Sequence, residues 1–179
     1  MIIYLRVLSN EVESFVEEIA IDDTASFADL HTCIQHTNDY DATQMASFFT
    51  TDNEWNKETE ITLFDMSEGA NESLKVMQDT LISDFLFEEG QRLLYVFDFF
   101  SERAFFMEVI EMAEGTLKKA NCYRNEGEAP EQIKMADLSD DTGMADEDLF
   151  GDEFDGSLDS MNFEDLDTDL NLDDYADQY

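Results

Sequence analysis

Few side chains in this sequence combine a reactive group with a spacing that serves catalysis or metal binding. The two histidines, His31 and His36, lie five residues apart, and a helix directs residues at that spacing to different faces. Cys33 lies between them, but further ligands at a spacing typical of zinc are missing. A catalytic thiolate needs positively charged surroundings, and this chain is acidic. The pattern therefore predicts no catalytic residue, no cofactor and no metal ligand, and it argues against an enzyme.

Acidic residues are too numerous for any single carboxylate pair to indicate acid–base catalysis. The chain holds 45 Asp and Glu residues, so close pairs arise by chance. The segment most similar to a calcium-binding loop begins at Asp146 and has Gly151 at its sixth position. Its fifth position is Phe150, which cannot coordinate calcium, and its twelfth is Ser157 in place of the usual glutamate. A specific calcium site is therefore not predicted.

The charge of the chain restricts its partners. Nine Lys and Arg residues against 45 Asp and Glu give a formal net charge of −36. Nucleic-acid phosphates and anionic lipids reward basic residues, so we expect no direct binding to nucleic acid and none to a membrane. A basic protein partner is favoured instead. The first residues lack the pattern of a secretory signal, and two cysteines are too few for a disulfide scaffold, so a cytoplasmic protein is expected.

The acidic residues are concentrated towards the C-terminus. Residues 135–179 hold 17 Asp and Glu and no basic residue, which leaves 28 acids and all nine basic residues for the rest of the chain. Ordering one residue costs about 1–2 kcal/mol of backbone entropy, and burying one apolar side chain returns at most about 1.5–3 kcal/mol. The isolated apolar residues of this segment cannot offset that cost. We therefore predict a folded domain over residues 1–132 and a disordered acidic tail over 133–179.

The apolar residues of the tail nevertheless recur at intervals of mostly three and four residues. That spacing is typical of a helix that binds in the apolar groove of a partner protein, although Gly151 and Gly156 disfavour a helix. The alternative is a solvated tail whose apolar residues bind nothing in particular. The candidate anchors are Phe150, Phe154, Leu158, Met161, Phe163, Leu166 and Leu170.

The first 132 residues contain the elements of one α+β domain. Ser26, with Asp29 three residues later, predicts the start of a helix over residues 26–37. A second, short helix is predicted over 78–86, and a polar loop over 67–73. Alternating or β-branched apolar runs predict strands at 2–8, 14–21, 45–50, 60–64, 92–100 and 104–112. This order predicts a mostly antiparallel sheet packed on one main helix.

Five segments of this domain resemble, in the same order, the plasmid pRiA4b ORF-3-like proteins, which are also known as passenger proteins of insertion elements. The resemblance covers about residues 1–131 and implies a compact α+β fold. It supplies no established reaction, cofactor or substrate. The segments are Phe27-Ala28-Asp29-Leu30-His31-Thr32-Cys33-Ile34-Gln35, Met45-Ala46-Ser47-Phe48-Phe49, Glu60-Ile61-Thr62-Leu63-Phe64-Asp65-Met66, Leu94-Tyr95-Val96-Phe97-Asp98-Phe99 and Gly127-Glu128-Ala129-Pro130-Glu131.

The chain departs from the family's pattern at its polar positions. The family's usual signature is Tyr-Asp-Phe-Gly-Asp, followed by a Trp and a His. Here Asp98 keeps the first acid, but Phe100 replaces the glycine and Ser101 stands where the second acid is expected. The resemblance therefore implies only Asp98 and His31 as candidate site residues.

Three functions are compatible with these features. The first is a non-catalytic binding or adaptor module whose acidic tail engages a basic or groove-bearing protein. The second is an acidic mimic of DNA that competes for a nucleic-acid-binding protein, and this mechanism predicts binding that weakens steeply with salt. The third is an enzyme of unknown reaction with a cleft near Asp98. The first hypothesis accounts for both the missing catalytic pattern and the anchored tail.

Overall fold

A computed structural model of the protein describes residues 1–65 and 75–133. These residues form eight strands and one α-helix in the order β-β-α-β-β-β-β-β-β, with a single 3-10 turn at Ile82–Asp84 before the sixth strand. The helix α1 spans Phe27–Thr37. The strands are β1 (Ile2–Ser9), β2 (Val16–Asp22), β3 (Ser47–Thr51), β4 (Lys57–Thr62), β5 (Lys75–Val76), β6 (Arg92–Asp98), β7 (Arg103–Ala113) and β8 (Asn121–Glu126).

The strands form one sheet in the spatial order β5-β4-β3-β6-β7-β1-β2-β8. Every neighbouring pair is antiparallel except β4 and β5, which are parallel. This architecture confirms the predicted α+β class, with a mostly antiparallel sheet and one main helix. The predicted disorder of the tail concerns residues that, apart from Ile133, lie outside the described ranges.

Helix α1 begins and ends where the sequence predicts. The Ser26 hydroxyl accepts the N–H of Asp29, and the Asp29 carboxylate accepts the N–H of Ser26, so the two residues form a capping box. Asn38 ends the helix and donates its side-chain amide to the carbonyl of Ile34. One side of the helix is buried, and it carries Phe27, Leu30, His31, Ile34 and Gln35.

The main core lies between this side of α1 and the inner face of the sheet. Aromatic rings form a continuous series of contacts through it. Phe27 lies 5.3 Å from Phe48, and Phe48 lies 4.8 Å from Tyr95, measured between ring centroids. Phe105 stacks on Phe15 at 5.0 Å and continues the series. Burial of these large side chains supplies the main driving force for folding.

A row of alternating charge crosses the outer face of the sheet. Its members are consecutive register partners on five neighbouring strands, and three ion pairs of 3.0–3.8 Å join them. The row consists of Arg124, Glu18, Arg6, Glu108 and Arg92. Arg92 also stacks on Trp55, which lies against Phe106 over a small apolar cluster on this face.

The short helix predicted over 78–86 is wrong. The segment contains only the 3-10 turn at Ile82–Asp84. The carbonyls of Met77 and Thr80 instead accept the N–H groups of Ala28 and Phe27, which are free donors in the first turn of α1. Tertiary hydrogen bonding of this segment therefore replaces the internal bonds that a helix would need.

Two strands were not predicted from the sequence. Strand β5 has only two residues, and β8 reads Asn-Cys-Tyr-Arg-Asn-Glu, without alternating apolar residues. Both are held by pairing with a neighbouring strand, β4 and β2 respectively. The polar loop predicted over 67–73 lies outside the described residues. No helix in the described ranges is long and apolar enough to cross a membrane.

A close backbone approach at Gly127 gives a test of the fold. Gly127 has φ +77°, and an added Cβ would lie 2.5 Å from the backbone oxygen of Ser14. Gly90 has a similar φ of +83° with open space around it. We expect Gly127→Ala to lower the free energy of unfolding by at least about 2–3 kcal/mol, and Gly90→Ala by about 1 kcal/mol, because only the first adds a clash to the backbone strain. Urea denaturation measures both, and equal losses would contradict the close approach.

Candidate functional site

His31 belongs to a buried polar group beneath α1. Its Nδ1 lies 2.9 Å from the hydroxyl of Tyr95, and that hydroxyl also accepts the side-chain amide of Gln35 at 2.6 Å. Because Gln35 donates to Tyr95, the hydroxyl proton is free to point at Nδ1. This assignment makes His31 a neutral ring with its proton on Nε2. Burial also lowers the pKa of His31, which favours the neutral form.

Asp98 belongs to a second polar group, at the hairpin between β6 and β7. Its carboxylate accepts the backbone N–H groups of Phe100 and Ser101 at 3.0 and 3.1 Å. Its other oxygen lies 3.6 Å from the guanidinium of Arg103. Asp98 thus shapes the hairpin turn and pairs with a cation. The structure places the two family-derived candidates, His31 and Asp98, in these two different groups.

Arg103 organises the second group. Its Nε donates to Glu11 at 2.7 Å, and its two terminal nitrogens donate to the carbonyls of Glu131 and Gln132 at 2.6 and 3.3 Å. Burial by itself would lower the pKa of Arg103, but the hydrogen bond and charge of Glu11, with Asp98, raise it. The guanidinium remains charged and holds residues 131–132 against the sheet.

Glu17 is the most unusual ionisable group among the described residues, and it was not singled out from the sequence. Its side chain is 0% exposed, and neither carboxylate oxygen has a hydrogen-bond partner. Burial raises its pKa to about 7, and the nearby Asn38 amide lowers it only in part. Glu17 lies on the same face of β2 as the buried Ile19 and Ile21, because alternate side chains of a strand point to the same face. This alternation was the signal in the sequence that its carboxyl enters the core.

The two cysteines lie beside Glu17. Burial raises the pKa of Cys33 to about 11, and the adjoining Cys122 and Glu17 act in the same direction. Burial and Glu17 also raise the pKa of the Cys122 thiol. Such thiols carry little thiolate at neutral pH and are poor nucleophiles. Within the described ranges, no group of three His, Cys, Asp or Glu side chains is arranged to hold a metal ion.

By its architecture, the described part of the chain is an α+β protein with one helix over a mostly antiparallel sheet. The chain belongs to the plasmid pRiA4b ORF-3-like protein family, whose model matches residues 4–137. This match confirms the resemblance seen in the sequence. The crystal structure of a protein of unknown function, MM3350, from Methanosarcina mazei Go1 has a similar fold, with a TM-score of 0.52 and 17% identity. That likeness covers 69% of this chain and 68% of the other. A search of curated proteins finds no match.

The buried hydroxyl of Tyr95 gives a prediction for stability. Tyr95→Phe keeps the ring but leaves the Gln35 amide and the His31 Nδ1 without their partner. We expect the free energy of unfolding to fall by about 1–3 kcal/mol, because both groups remain buried. Tyr4→Phe, on the outer face, is the matched control and should change stability by less than about 0.5 kcal/mol. Similar urea midpoints for both variants would contradict the buried hydrogen-bond network.

The carboxyl of Glu17 predicts how stability depends on pH. Its folded-state pKa of about 7 lies above the ordinary 4.5, so its favourable contribution is complete below pH 4.5 and is lost as pH rises through 7. Glu17→Gln cannot ionise. We expect the difference in unfolding free energy between Glu17→Gln and the parent to rise by about 3 kcal/mol from pH 4 to pH 8. Other groups titrate alike in both proteins, so a constant difference would show that Glu17 has an ordinary pKa.

Proposed function

We propose that this protein is a non-catalytic protein-binding module whose acidic C-terminal segment engages a basic or groove-bearing partner. The observation that carries the proposal is that all four arginines of the chain form ion pairs within the domain. Each is ion-paired with a carboxylate: Arg6 and Arg124 with Glu18, Arg92 with Glu108, and Arg103 with Glu11. The guanidinium groups are therefore engaged, and the large negative excess of the chain stays available to a basic partner.

The polar groups that suggest chemistry also have internal partners. His31 is bound to Tyr95, and Asp98 is bound to the hairpin backbone and Arg103. The thiols of Cys33 and Cys122 have raised pKa values. These features support a structural role for each group and favour a binding module over an enzyme with a cleft near Asp98.

The tail would provide two kinds of contact. Its 17 acids attract a basic surface over a long range, and its apolar residues would supply short-range anchors in a groove. Charge alone would make the protein a mimic of DNA, with affinity that falls steeply as salt rises. Anchoring in a groove would leave affinity largely independent of salt, because apolar burial does not depend on counterion release.

A pull-down with three proteins of equal length tests the proposal. The first is the full chain. The second has the seven anchors, Phe150, Phe154, Leu158, Met161, Phe163, Leu166 and Leu170, changed to serine. The third has the 17 tail acids changed to the corresponding amides. We expect the full chain to retain a basic protein in about 0.5 M salt and the serine variant to lose it, because groove contacts persist when charges are screened.

The other outcomes separate the alternatives. Binding that survives in the serine variant but disappears in the amide variant and in high salt would favour DNA mimicry. Identical partners for all three proteins would remove the tail from the function and contradict the proposal.

A further inference from the structure

Glu17 lies where three elements meet. Its strand, β2, pairs with the edge strand β8, and Glu17 itself is the register partner of Asn125. The charge of Glu17 acts on Cys33 of α1, on Cys122 of β8 and on Tyr40 after the helix, so all three lie near its carboxyl. The region where Cys33 and Thr37 of the helix approach Cys122 is called the α1–β8 contact. Glu17 is sealed beneath it, with 0% exposure.

None of the groups that the structure describes near Glu17 carries a positive charge that could pair with it, although the Asn38 amide offsets part of the cost of burial. From α1 and β8 they are the neutral thiols of Cys33 and Cys122, and after the helix they are Tyr40 and the Asn38 amide. Arg103 also acts on Tyr40, but its guanidinium is bound to Glu11 and Asp98. Arg124 pairs with Glu18, on the opposite face of the sheet. A carboxylate at this position is therefore buried among neutral groups.

We propose that ionisation of Glu17 opens the α1–β8 contact locally, so that this edge of the domain responds to pH. The inference is independent of the proposed function. An ionised carboxylate without a positively charged partner is stabilised by contact with water. Water can enter most easily where the covering element is held least firmly.

Strand β8 is that element. It is the last strand of the sheet, so β2 is its only neighbouring strand among the described residues. Its residues are mostly exposed, and a register irregularity between Glu18 and Ile19 interrupts its pairing with β2. Edge segments with few buried contacts open at lower free energy than the core strands. Strand β6, paired on both sides in the middle of the sheet, provides the internal reference.

The two half-buried thiols of the full-length protein report the opening through a change in their reactivity. The rate at which a neutral thiol reagent modifies Cys33 and Cys122 is measured in the parent and in Glu17→Gln, each at pH 5.5 and pH 8.5. Comparing the two proteins at one pH cancels the intrinsic reactivity of thiols. If ionised Glu17 acted only through its charge, it would raise the thiol pKa values and make the parent slower than Glu17→Gln.

A local opening predicts the opposite difference, with the parent reacting faster than Glu17→Gln. We expect the parent to react between about 10-fold and about 300-fold faster than Glu17→Gln at pH 8.5, the upper value being the full pKa change expressed as a ratio. The excess should be smaller by up to about 30-fold at pH 5.5, because Glu17 is then mostly protonated in the closed domain. A parent that reacts no faster than Glu17→Gln at pH 8.5 would overturn the proposal.

A second measurement, amide hydrogen exchange, needs only the parent protein and therefore tests the proposal even if Glu17→Gln does not fold. Intrinsic exchange changes with pH in the same way for every amide, so the ratio of protection between β8 and β6 isolates local opening. We expect residues 121–126 to lose protection relative to residues 92–98 as pH rises from 5.5 to 8.5. A constant ratio, or an equal loss in both strands, would contradict a local opening.

Discussion

The burial of one side of α1 against the inner face of the sheet is the constraint on which the rest of the structure depends. Phe27, Leu30 and Ile34 are fully buried there, opposite Phe48 and Phe105 from the sheet. A fully buried side chain of this size contributes about 1.5–3 kcal/mol, and contacts between aromatic rings add to that value. The capping box fixes where the helix begins, and the spacing of three and four residues places these side chains on one side of it.

Polar groups buried in this core differ in the hydrogen-bond partners that they find. His31 and Gln35 come from the same side of α1 as the apolar residues, and both are satisfied in part by the single hydroxyl of Tyr95. Arg103 is buried too, but it has Glu11, Asp98 and two carbonyls as partners. Glu17 differs because it has no such partner. The same burial that stabilises the fold therefore leaves one carboxyl in an unfavourable place.

Charged side chains are distributed differently on the two faces of the sheet. On the outer face, the row from Arg124 to Arg92 alternates in sign, so neighbouring strands attract each other across the surface. On the inner face, charge is nearly excluded. The domain thus uses its few arginines in ion pairs, three of which join neighbouring strands.

The sequence by itself determined the elements whose caps and apolar patterns lie within their own residues. Helix α1 has its cap and its apolar repeat within a dozen residues, and β6 and β7 are rich in aromatic and β-branched residues, so both kinds of element were predicted. Tertiary structure alone decided the rest. Strand β8 exists because β2 offers it a partner, and the segment before β6 gives its carbonyls to α1 in place of forming a helix. Likewise, the pairing of Arg103, the partner of His31 and the isolation of Glu17 depend on residues distant in the chain, and no local spacing records which of them will meet.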